Sequence, residues 1–213
     1  MSVIGGDPIV QAGRREERKA QNRAKLLTAA RKVFAEKGLG EATARDIVRE
    51  TDLATGTFYN YFRDKEEVFR ALLAEFEQRV SDATLPLRRD SSLTIEERIE
   101  YGALAFCRVV AEDRELFCVL RQNPGSVAIL PSESLFSTGM QELSEDLDDW
   151  SAEGSFQGID LEYLSAAIAG AAMQVANRMV ERDPPDAEGA AQFLSTMVLS
   201  IIRTLAPQST PAG

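Results

Sequence analysis

Histidine is absent from all 213 residues. That removes Ser-His and Cys-His nucleophilic pairs, imidazole acid-base chemistry and every zinc site that needs a His ligand. Cysteine is nearly absent, with Cys107 and Cys118 only. On one continuous helix, eleven residues would put both thiols on one face but about 16 Å apart along the axis, which rules out an intrahelical disulfide. Two small core residues is the first reading, and a redox sensor or a bridge across a helix break is the other. No apolar run reaches the roughly 18 residues of a membrane span, and the start, MSVIGGDPIVQAGRREERK, lacks the basic-then-apolar order of a secretory signal. A cytoplasmic protein is expected. No alternating apolar-polar run is long enough for a strand, so the fold class expected is all-α.

What is present is unevenly charged. The net charge of −10 conceals a basic front: Arg14 to Arg70 holds 14 basic and 10 acidic residues, net +4, whereas Ala71 onward holds 10 basic and 23 acidic, net −13. A nucleic-acid-contacting segment joined to a domain that does not touch nucleic acid has this asymmetry, as does a solvated surface with chance unevenness.

Residues 1–13 are aperiodic and read as a disordered arm. Leu26, Leu27, Ala30, Val33 and Phe34 then fall on one helical stripe that stops at Gly38. Thr43 and Asp46 have capping-box spacing for a short second helix with Ile47 and Val48 inward. After a turn at Asp52 and Leu53 comes ATGTFYNYF, and Asp64 with Glu67 then opens a longer fourth helix. Two short helices between longer ones have the spacing of a helix-turn-helix. The remainder stays helical to about residue 206, and 207–213 reads as a tail. Its last two helices, LEYLSAAIAGAAMQVANRMVE and AEGAAQFLSTMVLSIIRTL, are separated by RDPPDA, with Asp186 as a cap.

The run FYNYF poses a packing problem. On a helix Phe58 and Phe62 share a face, and the intervening Tyr59, Asn60 and Tyr61 point elsewhere. A tyrosine at the margin of a core packs its ring and presents its hydroxyl, for which phosphate is the natural acceptor on a basic surface; two ordinary amphipathic tyrosines fit the pattern too. The small, hydroxylated TGT leaves the helix start open to close approach.

The stretch ATARDIVRETDLATGTFYNYFRDKEEVFRALL, preceded by KLLTAARKVFAEKG, resembles the DNA-binding domain of the tetracycline-repressor (TetR) family over residues 22–73. The resemblance implies a helix-turn-helix domain over 14–64 and a larger helical ligand-binding and dimerisation domain over 65–206. It implies phosphate contacts by Thr43, Tyr59, Tyr61 and Lys65, and base or adjoining backbone contacts by Arg45, Thr55, Gly56, Thr57 and Asn60. Arg14, Arg15, Arg18 and Lys19 resemble the phosphate-tracking or groove-entering extensions of some members. Asp52 stands where the family usually has a turn glycine, so a left-handed turn with slight strain is expected there, and Ala54 replaces a frequent serine cap.

By the same resemblance the last two helices form a four-helix bundle with a second copy. Ala166, Gly170, Met173, Phe193, Leu194, Met197, Val198, Ile201 and Leu205 are its expected interface; lining the protomer's own core is the alternative. A two-fold dimer spaces its reading helices about 34–36 Å apart and calls for a palindromic operator. Tyr101, Leu104, Cys107, Phe117, Cys118, Phe136, Met140 and Met173 are candidates to line an apolar pocket, with Arg121 and Asn177, and beside them Arg108 and Arg178, to orient a ligand's polar end. Core packing and surface ion pairs explain the same residues. The function implied is a bacterial, cytoplasmic, nucleoid-associated repressor, homodimeric, released by a small largely apolar inducer that swings the fourth helix, with no cofactor and no metal. Control by a protein partner or by cysteine oxidation is the alternative, and an all-helical enzyme is the rival from another class.

Overall fold

The computed structural model describes residues 8–122, 137–152, 156 and 158–205, and every regular element among them is a helix. In chain order these are α1 (Pro8–Glu41), α2 (Ala44–Arg49), α3 (Thr55–Phe58), α4 (Lys65–Arg88), α5 (Ile95–Glu112), α6 (Arg114–Gln122), α7 (Ser137–Ala152), α8 (Leu161–Val180) and α9 (Ala187–Leu205). The chain divides into two compact units, 1–72 and 73–213, with the division inside α4.

In the first unit the stripe on α1 is buried as its period requires: Leu26, Ala30 and Phe34 are fully enclosed, with Ile47, Phe58, Val68 and Leu72. Phe34 meets Phe69 edge-on at 6.0 Å, the quadrupole-favoured arrangement. Gly38 adopts φ 74°, ψ 161°, so the helical path that began on α1 breaks after Lys37, and a side chain there would be strained. Residues 8–13 are helical, which corrects the expectation of disorder over that part of the arm; residues 1–7 and the expected tail lie outside the described residues. The charged residues of RREERK lose no hydration on such a helix because they stay exposed, and Pro8 suits a helix start.

Thr43 and Asp46 make the full capping box: the Asp46 amide donates to Thr43 Oγ1 at 3.2 Å, and the Thr43 amide donates to Asp46 Oδ2 at 3.1 Å. Asp46 is bound again by Lys37 at 2.8 Å. The Lys37 and Thr43 hydrogen bonds hold its carboxyl down at about 2. Lys25 pairs with Asp52 at 2.8 Å and Lys32 with Glu50 at 2.6 Å, so three lysines of α1 tie down α2 and the turn beyond it. Asp52 is not left-handed: positive φ among non-glycine described residues occurs at Phe156. The turn expected to be strained is instead held by the Lys25 ion pair. At α4, Asp64 Oδ1 accepts from the Glu67 amide at 2.7 Å, while Glu67 reaches back to the Arg63 amide, one residue further than a strict box.

In the second unit α9 packs most extensively against α5, and α8 touches α5, α6, α7 and α9. One apolar cluster joins Leu147, Trp150, Phe156 and Leu164, with Ile201 and Ile202 against it. Trp150 and Phe156 stack at 6.2 Å. Helix starts follow side-chain chemistry: Thr94 and Glu97 box α5, Asp160 caps α8, and Asp186 accepts from the Gly189 amide at 2.9 Å. The Asp186 carboxylate occupies the space that a Gly189 Cβ would need. Between α4 and α7 lies an ionic network, buried at Asp146 and open at its edge, in which Arg88 bonds Asp146 and Glu142 while the exposed Arg89 bonds Asp146 and Glu145.

Removing Asp146, 1% exposed, takes one of two carboxylates from the Arg88 guanidinium and leaves it with Glu142, so Asp146→Ala lowers unfolding free energy by about 2 kcal/mol in urea titration; a loss under about 1 kcal/mol would show the network to be solvated. Asp46 has a depressed pKa when folded, so its contribution is complete above its ordinary 3.8 and is lost as pH falls through about 2. Acid titration by circular dichroism should therefore show wild type losing its advantage over Asp46→Asn across that window.

Candidate nucleic-acid interface

The side chains that would meet a nucleic acid stand on a base made by two rings. Phe58 and Phe62 are 0% and 3% exposed with centroids 6.0 Å apart. Regular helix ends at Phe58, earlier than a helix through Phe62 requires. Asn60 and Tyr61 then bond back three residues, and the Phe62 amide bonds the Phe58 carbonyl at 3.0 Å. That last bond keeps Phe62 on the buried side although α3 has only four residues.

With the pair buried, Tyr59 is turned outward, 62% exposed, its ring edge-on to Phe58 at 5.3 Å. Thr55, Gly56 and Asn60 are exposed as well, and Thr57 is half-buried. Ala54 makes no side-chain cap, as the missing serine hydroxyl demands. A Cβ built on Gly56 would meet nothing within 4 Å, so packing within the chain does not require glycine there.

Tyr61 and Lys65 are less free than the sequence suggests. Tyr61 is half-buried and its hydroxyl accepts from Asn22 at 3.2 Å, while Lys65 donates to the Gly40 carbonyl at 2.8 Å. Tyr61 and Lys65 therefore fasten the segment between α3 and α4 to α1, and both polar groups keep further hydrogen-bonding capacity. Arg23 lies 5.5 Å from the Phe62 ring centroid, a cation-π contact. No periodicity signals Asn22 or Arg23; in sequence they are only polar residues in a charged run.

The electrostatics sort the cations. Lys25, Lys32 and Lys37 are neutralised by Asp52, Glu50 and Asp46. Thr43 and Arg45 are exposed at the start of α2, and Arg49, which no motif singles out, is exposed one turn on. Arg14, Arg15, Arg18 and Lys19 are exposed along the helical extension of α1.

In the second unit the sequence candidates divide. Cys107 and Phe117 are buried, and Leu104, Cys118, Met173 and Asn177 are half-buried. Phe76 lies against Phe117 at 6.2 Å. Tyr101 is 43% exposed. Arg108 and Arg178 make the surface ion pairs that are the other reading of them, with Glu188 and Glu181. Phe136 and the side chains of Arg121 and Met140 lie outside the described residues. Burial, with Glu188 adding to it, pushes the Cys107 thiol up to about 12. Of the expected interface, Ala166, Gly170 and Phe193 are exposed and Met173, Met197 and Ile201 half-buried. Leu194 and Val198 are 4% and 6% exposed and follow the alternative, lining the chain's own core, because they sit on the inward side of α9. The side chain of Leu205 lies outside the description. No described helix is long and apolar enough to cross a membrane, and no described group of three or more Cys, Asp or Glu could hold a metal.

Residues 26–72 match the model of bacterial regulatory proteins of the tetR family. The chain is 29% identical over 99 residues to the uncharacterized HTH-type transcriptional regulator YdgC of Bacillus subtilis, covering 45% of this chain and 51% of that one. It is 32% identical over 82 residues to the HTH-type transcriptional repressor KstR2 of Mycolicibacterium smegmatis, covering 35% and 40%. The chain thus spans about half or less of the length of these curated relatives. Among solved structures it is similar to the fatty acid degradation regulator FadR of Bacillus halodurans, with TM-score 0.73, 23% identity and coverage of 85% of this chain and 96% of that one. That likeness extends the same all-helical fold through the second unit. Residues 26–72 thus carry a helix-turn-helix domain of the tetR family, and the chain around it has the all-helical fold of the solved regulator it resembles.

Proposed function

We propose that this protein is a homodimeric repressor that binds a palindromic operator through Arg45, Thr55, Gly56, Tyr59 and Asn60, and is released by a small, largely apolar inducer held in the second unit. The observation that carries the reading is the set of exposed polar side chains raised on the buried Phe58 and Phe62 base, with Asp46, Glu50 and Asp52 of the helix-turn-helix each paired with an α1 lysine. An exposed Arg45 supplies a fork for base acceptors, and Arg49 joins Tyr59, Tyr61 and Lys65 as a donor to phosphate, whereas the Thr43 hydroxyl and amide already donate to Asp46.

The partner reading rests on α8 and α9. Tyr163, Ala166, Ala167 and Gly170 occupy i, i+3, i+4 and i+7 of one exposed face, and Phe193 is 60% exposed on α9. A Cβ at Gly170 would meet nothing of its own chain. Small residues flanked by exposed rings are suited to close helix approach by a second copy. Oxidative control through Cys107 is disfavoured, because a thiol held at about 12 supplies almost no thiolate.

Selection of bound genomic fragments at physiological salt should enrich one palindrome; no enrichment from folded protein would overturn the reading. Arg45→Ala should cost about 1–3 kcal/mol and relax base preference, whereas Lys65→Ala and Tyr59→Phe should weaken all sequences alike. Gly56→Ala separates interface from packing. It should leave thermal stability unchanged or slightly higher, by up to about 1 kcal/mol from helix propensity, and lower operator affinity about tenfold; unchanged affinity would remove Gly56 from the interface. Phe193→Glu should sediment as a monomer and lose operator affinity, and a dimer unaffected by it would place the interface elsewhere.

A further inference from the structure

Resting on the ligand-responsive reading above, we infer that Glu77 recognises the polar end of the inducer and that this end is a protonated amine. Glu77 stands on the inward stripe of α4 in the second unit, between Leu73, 1% exposed, and the buried Thr84. The other polar groups of that stripe are partnered. Ser81 donates to Glu142 at 2.9 Å, Thr84 to the Val80 carbonyl at 2.9 Å, and Arg88 to Glu142 and Asp146. Glu77 is the exception: its Oε1 is buried and no group among the described residues donates to it.

The second-unit part of this helix has no cation to spare for it. Arg79 is committed to Asp113 at 2.6 Å and Glu112 at 3.4 Å, and Arg88 and the adjoining Arg89 to the carboxylates of α7. The charged group from α7 that acts on Glu77 is Glu142, of the same sign. Burial first and Glu142 second push the Glu77 carboxyl up to about 7. A second orphan of the same kind lies on α8 in the same unit, where Asn177 Oδ1 is buried without a donor among the described residues. Both deficits are of donors. A carboxylate or phosphate ligand brings none and meets Glu77 and Glu142 with like charge; an alcohol brings a donor but no charge; an ammonium brings both. The adjoining contact of Phe76 with Phe117 supplies apolar surface for a hydrocarbon body.

The test uses the full chain and its selected operator with octylamine, octanol and octanoate as probes, reading thermal shift and operator release. Octylamine should act at a concentration at least tenfold lower than either of the others. That advantage should grow about tenfold per pH unit up to about 7 and level above it, because the amine binds the ionised carboxylate. It should vanish in Glu77→Gln and persist, reduced, in Glu77→Asp. Octanoate or octanol acting as well as the amine, or an amine advantage that survives in Glu77→Gln, would overturn the inference and leave ligand response intact. Silence of all three probes on operator-bound wild type would overturn it too. Should Glu77→Gln fail to fold, the pH profile of the wild type decides alone. Failure of the regulator reading itself is seen earlier, as the absence of any selected operator.

Discussion

The first unit depends on burying Phe58 and Phe62 together. Four aromatic rings crowd into five positions, and α3 is too short to be stable on its own, since isolated helices below about 12–15 residues are marginal in water. What holds it is the burial of the two rings in the first unit's core, each ring contributing roughly 2–3 kcal/mol. Once that pair is inward, geometry leaves Tyr59 and Asn60 nowhere to go but outward. The exposure of this candidate surface is therefore a by-product of core packing and needs no local secondary-structure energy of its own.

The acids of the first unit have a corresponding role. Asp46, Glu50 and Asp52 lie beside a surface that would bind a polyanion, which looks self-defeating in sequence. Paired with Lys37, Lys32 and Lys25 they become struts between α1 and the helix-turn-helix. Each exposed pair is weak singly. Their greater consequence is to cancel cations and acids on one side together, so that the exposed arginines of α2 and of the α1 extension carry the remaining field. A net charge of −10 over the whole chain and a DNA-facing surface are then compatible, because interaction beyond about 8–10 Å is screened at physiological salt.

How much of this was legible in the sequence depended on whether the signal was local. The capping box at Thr43, the stop at Gly38, the inward stripe of α1 and the Phe58/Phe62 face arise from periods of 3.6 and from spacings of three or four residues. The Asp186 and Asp160 caps are of the same kind. Lys65 to Gly40, Asn22 to Tyr61 and Lys25 to Asp52 span 25, 39 and 27 residues, and nothing local announces a partner at that distance. The same limit explains Leu194 and Val198. A broad apolar face on α9 does not say which edge meets α5 and which stays outside, and their burial against the chain's own core is decided by tertiary packing. Glycines at 56 and 170 are conspicuous in sequence only as small residues; the open space around their Cβ positions is what separates a packing need from an approach by another molecule.

Glu77 illustrates why the second unit is harder to read. In sequence it is one carboxylate among 34 acidic residues, at a position where helical period alone would put an apolar side chain. A fold selected only for stability would place a hydrocarbon there, since desolvating an unpaired carboxylate works against folding. On the same helix Arg88 shows the alternative solution, a buried charge answered fully from α7. Two charges on one inward stripe, one answered and one not, differ in what they ask of their surroundings. The answered one is structural. The unanswered one favours a proton below about pH 7 and, above it, is the group to which the inferred ammonium would donate.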